Sequence, residues 1–102
     1  MIMRSWRGCT SEADQDAYHE YLRRTGVAQF RRAPGNRGVW VLRRRLEGRA
    51  EFLLLSLWDS LEAIRAFAGP EPDRAVLFPE DEEYLLEFDV TVKHYDVLTA
   101  AD

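Results

Sequence analysis

This sequence predicts an α+β domain with the element order β-α-β-β-α-β, and three observations carry the prediction. Residues 1–9 alternate like a strand, then give way at Thr10-Ser11 to a helical stripe. Two β-prone stretches flank Glu47-Gly48 as a hairpin would. A capped amphipathic helix then runs to Gly69-Pro70, and a further alternating stretch follows near the end.

In the first strand Ile2, Arg4 and Trp6 fall on one face, and Met3, Ser5 and Arg7 on the other. Thr10 and Ser11 offer N-caps, and Ser11 with Asp14 makes a loose capping box. Ala13, Ala17, Tyr18, Tyr21 and Leu22 share one helical stripe. Arg23 and Arg24 suit the negative end of the helix dipole, and Gly26 is placed to close the helix. Residues 27–37 read as a connector, punctuated by Pro34-Gly35 and Asn36. Strands follow over 38–46 and 49–58. The stretch from Glu51 to Trp58 is almost wholly apolar, the pattern of a strand covered on both faces. Helices behind one sheet cover only one face, so a second copy of the chain is the expected cover for the other.

Asp59, with Glu62 three residues on, is expected to cap the second helix, which carries Leu61, Ile64, Phe67 and Ala68. After a loop over 70–73, Pro79 is expected to open a short third helix with Tyr84, Leu85 and Phe88 facing inward. The last strand is expected over 90–97. Val90, Val92, His94 and Asp96 would share one face, and Thr91, Lys93, Tyr95 and Val97 the other.

A chain of 102 residues makes one domain, 1–102. It supports one core and leaves little room for a deep, closed site. The net charge of −4 argues against nucleic acid or an anionic membrane as partner. Arg43, Arg44 and Arg45 do not form one patch, because alternation sends Arg44 to the opposite face. The basic-Gly-aromatic signature of RNA-recognition strands is missing from Glu51 to Trp58. Cys9 is the lone cysteine, so neither a disulfide within the chain nor a Cys-pair metal site is expected. Arg4 and Arg7 interrupt any apolar leader, and Phe52 to Leu55 is too short to span a bilayer. The expected location is the cytoplasm. No phosphate-binding loop, dinucleotide fingerprint or His-Glu-x-x-His run is present.

The run Trp58-Asp59-Ser60-Leu61-Glu62-Ala63, followed by an aromatic at Phe67, resembles the strand-to-helix junction of the antibiotic-biosynthesis monooxygenase domains. Arg4 to Gly8, Ala75 to Glu80 and the ending His94-Tyr95-Asp96-Val97 resemble one subgroup of that family. The resemblance implies a ferredoxin-like sheet with helices on one face, two copies of which meet as a dimeric α/β barrel. It also implies a pocket between sheet and helices. Some members oxidise polycyclic phenols or quinols with molecular oxygen and no cofactor, and others degrade haem. The haem branch uses an Asn on the first strand, a Trp late in the second helix and a ligating His after it. Here Trp6 and Phe67 take the first two places, and no His lies between Gly69 and Lys93. The resemblance therefore implies no haem, no metal and no cofactor.

Six residues follow as candidates. His94 stands mid-strand and is the expected proton-handling, catalytic residue; its other reading is a buried histidine satisfied by a neighbour. Trp6, Trp58, Phe67 and Tyr84 would line an aromatic slot for a flat ligand, or simply pack the core. Arg4 shares a face with Trp6, and a buried arginine needs either a protein carboxylate or an anionic ligand. His19 lies among Asp16, Glu20 and Arg23 and reads as solvated. The leading expectation is a homodimeric, cofactor-independent monooxygenase of a small aromatic, phenolic or quinol-type molecule. The alternative is a non-catalytic dimer that binds a small molecule or acts as a scaffold.

Overall fold

In the computed structural model, which describes residues 1–101, β1 (Ile2–Ser11) is the strand on which the sheet is built. It pairs antiparallel with β3 (Arg49–Trp58) along its whole length. β2 (Asn36–Leu46) pairs with the far side of β3. The two-residue Glu47-Gly48 connection closes that hairpin, and Gly48 takes the positive φ of 69° that the turn needs.

The other edge of β1 is covered by two short strands rather than one. β4 (Leu85–Phe88) pairs with Gly8 to Thr10, and β5 (Lys93–Asp96) with Ile2 to Ser5. Both run antiparallel to β1, so together they are one edge strand broken at 89–92. The break is stitched down: Asp89 N donates to Arg7 O, and Ala75 and Val92 exchange backbone bonds with Val90 and Asp73. The expected third helix is thus corrected. Only Asp81–Tyr84 is helical (α4), and Leu85 and Phe88 face inward from a strand instead. A register irregularity between Cys9 and Thr10 lets Leu85 and Phe88 share a face although three residues separate them, and the open edge of β1 takes the segment up as a strand.

The first helix is also longer than expected. α1 (Gln15–Leu22) continues through a π-helical turn over Arg23–Val27 into α2 (Ala28–Arg32). Gly26 does not end it. The wide turn absorbs one extra residue, so the helix continues through residues 27–32, part of the expected connector. α2 brings Phe30 down onto the core. α3 (Leu61–Ala68) is capped by Ser60, whose hydroxyl accepts from Ala63 N, and not by Asp59. Asp59 turns outward to Arg37 at 2.6 Å.

Alternation sends Arg4, Trp6, Phe52, Leu54 and Trp58 to the helix-covered face, where they meet Tyr18, Tyr21, Leu22, Phe30 and Ile64. Each fully buried large side chain there contributes roughly 1.5–3 kcal/mol. The opposite face carries Met3, Leu53, Leu55 and Leu57, all half-buried, with Trp40, Leu42 and Tyr95 exposed beside them. One end of that face is charged: Arg7 bridges Glu51 and Glu87, and Arg44 joins Glu51. The near-continuous apolar run of β3 is therefore covered on one side only within a chain. Among the described residues no helix is long and apolar enough to cross a membrane.

Candidate functional site

Between the covered sheet face and the helices lies a cavity of about 40 Å³. Arg4, Trp6 and Ser56 form its floor, and Tyr18, Phe30 and Phe67 stand in its walls. The π turn contributes Thr25 and Gly26, and the segment after α3 contributes Phe78 and Asp81. A cavity that admits a benzene ring measures roughly 150 Å³, so a flat ligand enters only if a wall moves. A larger cleft of about 370 Å³ opens between α2 and α3. Gln29 and Phe67 line both spaces, so Phe67 is the partition between them.

Arg4 is only 3% exposed. Its guanidinium donates to Pro72 O at 2.7 Å and to Arg74 O at 3.1 Å. Its third partner is His94 Nε2, at 3.4 Å. His94 Nδ1 in turn lies 3.1 Å from Asp73 Oδ1. A guanidinium only donates and a carboxylate only accepts, so the proton of neutral His94 sits on Nδ1. Asp73 reaches Arg4 only through that ring. Burial lowers the Arg4 pKa to about 10, with Asp73 opposing the shift. Burial, and then the charge of Arg4, lower the pKa of His94 as well. The result is a buried cation lining a cavity with backbone carbonyls and a neutral histidine as its partners.

Asp81 is a buried carboxylate in the same cavity wall, 5% exposed. Phe78 N donates to its Oδ2 at 2.8 Å, and the Tyr18 hydroxyl to its Oδ1 at 3.2 Å. Burial raises its pKa from the ordinary aspartate value, although both hydrogen bonds oppose the rise. Burial, and then the negative Asp81, raise the Tyr18 pKa.

The sequence profile of the antibiotic biosynthesis monooxygenase family matches residues 8–72, more than half of the chain. The chain belongs to that family. Solved structures agree on the fold. A Bacillus cereus protein classed as an antibiotic biosynthesis monooxygenase superposes with a TM-score of 0.70 at 18% identity, over 99% of this chain and 96% of its own. One from Nitrosomonas europaea gives 0.69 at 17%, over 97% and 100%. The heme-degrader MhuD from Mycobacterium tuberculosis, with two hemes in its active site, gives 0.63 at 14%, over 100% of both chains. Identities this low carry the fold and not the chemistry. No curated protein sequence matches the chain.

Within this monooxygenase-family domain the six expected residues separate. Arg4, Trp6 and Phe67 line the cavity together. Trp58 lies beneath it, fully buried, its ring 5.4 Å from Phe67 and its Nε1 donating to Ser56 Oγ at 2.8 Å. Tyr84 is outside the lining and packs on Tyr18 and Tyr21. His94 stands behind Arg4 and does not reach the cavity. Asp81 and Tyr18 were not singled out as functional by sequence reasoning. Asp81 sits in Pro79-Glu80-Asp81-Glu82-Glu83, which reads as a solvated acidic turn. The available signal was its spacing: it lies three and four residues before the inward Tyr84 and Leu85. The lining offers no His, Cys or Met, and the Tyr18 hydroxyl is engaged by Asp81. A porphyrin far exceeds the space. The residues present do not fit heme.

Proposed function

We propose that the chain is a homodimeric, cofactor-independent monooxygenase of a small aromatic, phenolic or quinol-type molecule, working in the cytoplasm. The observation that carries this reading is the aromatic-walled cavity with the cation of Arg4 in its floor and no carboxylate bound to it. An electron-rich phenolate can reduce oxygen directly once its proton is removed and its charge is held. The protein then supplies binding, deprotonation and a place for negative charge. For an anthrone-like substrate the balance is one CH₂ and one O₂ giving one carbonyl and one water. Oxygen is the four-electron oxidant, and one of its atoms stays in the product. In this reading Trp6 and Phe67 sandwich the ring, Arg4 faces the developing anion, and His94 acts by holding Arg4.

The tightness of the cavity supports a second reading, a dimer that binds a small molecule without turning it over. Oxygen uptake separates the two. Purified protein with a chelator present is expected to consume one O₂ per quinone formed from an anthrone, and Arg4→Met to lose roughly 10²-fold or more of that rate. Ligand binding with no uptake beyond the uncatalysed rate would leave only the second reading.

A further inference from the structure

Two charged side chains line the cavity, and each is held by its own set of partners. Arg4 is tied to Pro72, Arg74 and His94. Asp81 is tied to Phe78 and Tyr18. They do not pair with each other among the described residues, and the rings of Trp6, Phe30 and Phe67 share the lining with them. A buried carboxylate with no cation beside it is costly, and its usual compensation is a shift toward the protonated form.

We infer that Asp81, oriented by Tyr18 and the Phe78 N–H, accepts the proton of a phenolic hydroxyl bound in the cavity, while Arg4 faces an electron-withdrawing oxygen at the far end of the same conjugated ring. The substrate class is then a hydroxyaryl ketone or its tautomer: a hydroxyl at Asp81, a flat ring along Trp6, and a carbonyl at Arg4. The O–H bond of the phenol breaks and an O–H bond to the carboxylate forms. No electron leaves the ring in this step; its charge moves through the conjugation toward Arg4. Phe78 N and the Tyr18 hydroxyl each hold one oxygen of the Asp81 carboxylate, and a carboxylate oxygen can accept more than one hydrogen bond. Tyr18 and Tyr21 from α1 and Glu80 from its own turn are the titratable groups that face Asp81. Burial makes it a better proton acceptor than a carboxylate in water. His94, by contrast, has both ring nitrogens committed outside the cavity.

The inference rests on the reading that the cavity takes a flat aromatic ligand, and the test keeps the two apart. p-Nitrophenol is the probe, because its ionisation shows in its absorption and its binding in quenched tryptophan fluorescence. It is titrated into the intact protein without oxygen. The wild type is expected to bind it as the anion at a pH where the free probe is neutral. Asp81→Asn keeps the shape and an acceptor for Phe78; it is expected to bind within about threefold while the ionised fraction of bound probe falls tenfold or more. Tyr18→Phe keeps the carboxylate but removes a donor that lowers its pKa, so the acid limb of the ionisation profile should move to higher pH. Bound probe that ionises equally well in Asp81→Asn overturns the role of Asp81. So does an unmoved acid limb in Tyr18→Phe, which decides the matter if Asp81→Asn does not fold. Absence of quenching in the wild type removes the cavity reading itself, and the inference with it.

Discussion

Arg4 and His94 divide one task between them. The guanidinium carries the charge, and the imidazole gives it an acceptor without supplying a counter-charge. That arrangement depends on His94 staying neutral, which its lowered pKa favours. Below the ordinary histidine value of 6.5 the unfolded chain takes up the proton before the folded chain does. Stability contributed by neutral His94 is therefore present above that pH and is lost as pH falls toward the lowered value. Protonation also removes the Nε2 acceptor and sets a second cation against Arg4. His94→Gln retains an acceptor for Arg4 and a donor for Asp73 but cannot titrate. The wild-type melting temperature is expected to drop more steeply between pH 7 and pH 5 than that of His94→Gln, with about 1 kcal/mol or less between them at pH 7.5. Binding of an anionic probe should fall over the same range only in the wild type. Parallel pH slopes in the two proteins would show that His94 does not hold Arg4 in this way.

At the level of elements, the site depends on β1 passing close under its neighbours. Gly8 and Trp6 share a face, and a Cβ on residue 8 would lie 2.5 Å from the Trp6 ring and 3.0 Å from Leu85. The ring cannot swing freely, because Trp6 Nε1 donates to Asp89 O at 2.8 Å across the break in the edge strand. Gly8→Ala is expected to cost about 1–3 kcal/mol in a denaturant titration and to push Trp6 into the cavity, abolishing probe binding. An unchanged midpoint with unchanged binding would refute that tightness. Much of this framework was legible in the sequence. The β2–β3 hairpin, the α3 stripe and the face shared by Arg4 and Trp6 all follow from periodicity and turn chemistry. The extension through Gly26 was not, because a glycine soon after two arginines is the usual signal for a helix end, whereas the continued helix packs Phe30 on Trp58 and Phe67, contacts that local sequence does not show. Asp81 was hidden for a related reason. Its spacing to Tyr84 and Leu85 is the one local mark that sets it apart from Glu80 and Glu82, and its partner Tyr18 is sixty-three residues away.

The whole molecule has one finished sheet face and one unfinished one. Met3, Leu53, Leu55 and Leu57 stay half-buried there, beside an exposed Trp40 and Leu42. Leu55 lies at the centre, opposite Trp40 on one side and Ser5 on the other. A two-fold contact through this face would take these side chains out of water. Light scattering at micromolar concentration is expected to give twice the chain mass for the wild type and the chain mass for Leu55→Asp. A monomeric wild type would refute the dimer. The place of β1 within the sheet also governs when the protein becomes itself. Its inner edge meets β3, but its outer edge waits for Lys93 to Asp96. On a ribosome the strand that carries Arg4 is made first and the strand that carries His94 far later. Until then the guanidinium lacks the carbonyls of Pro72 and Arg74 and the imidazole that holds it. The growing chain carries Arg4 almost from the start, yet the guanidinium lacks its full set of partners until His94 has emerged.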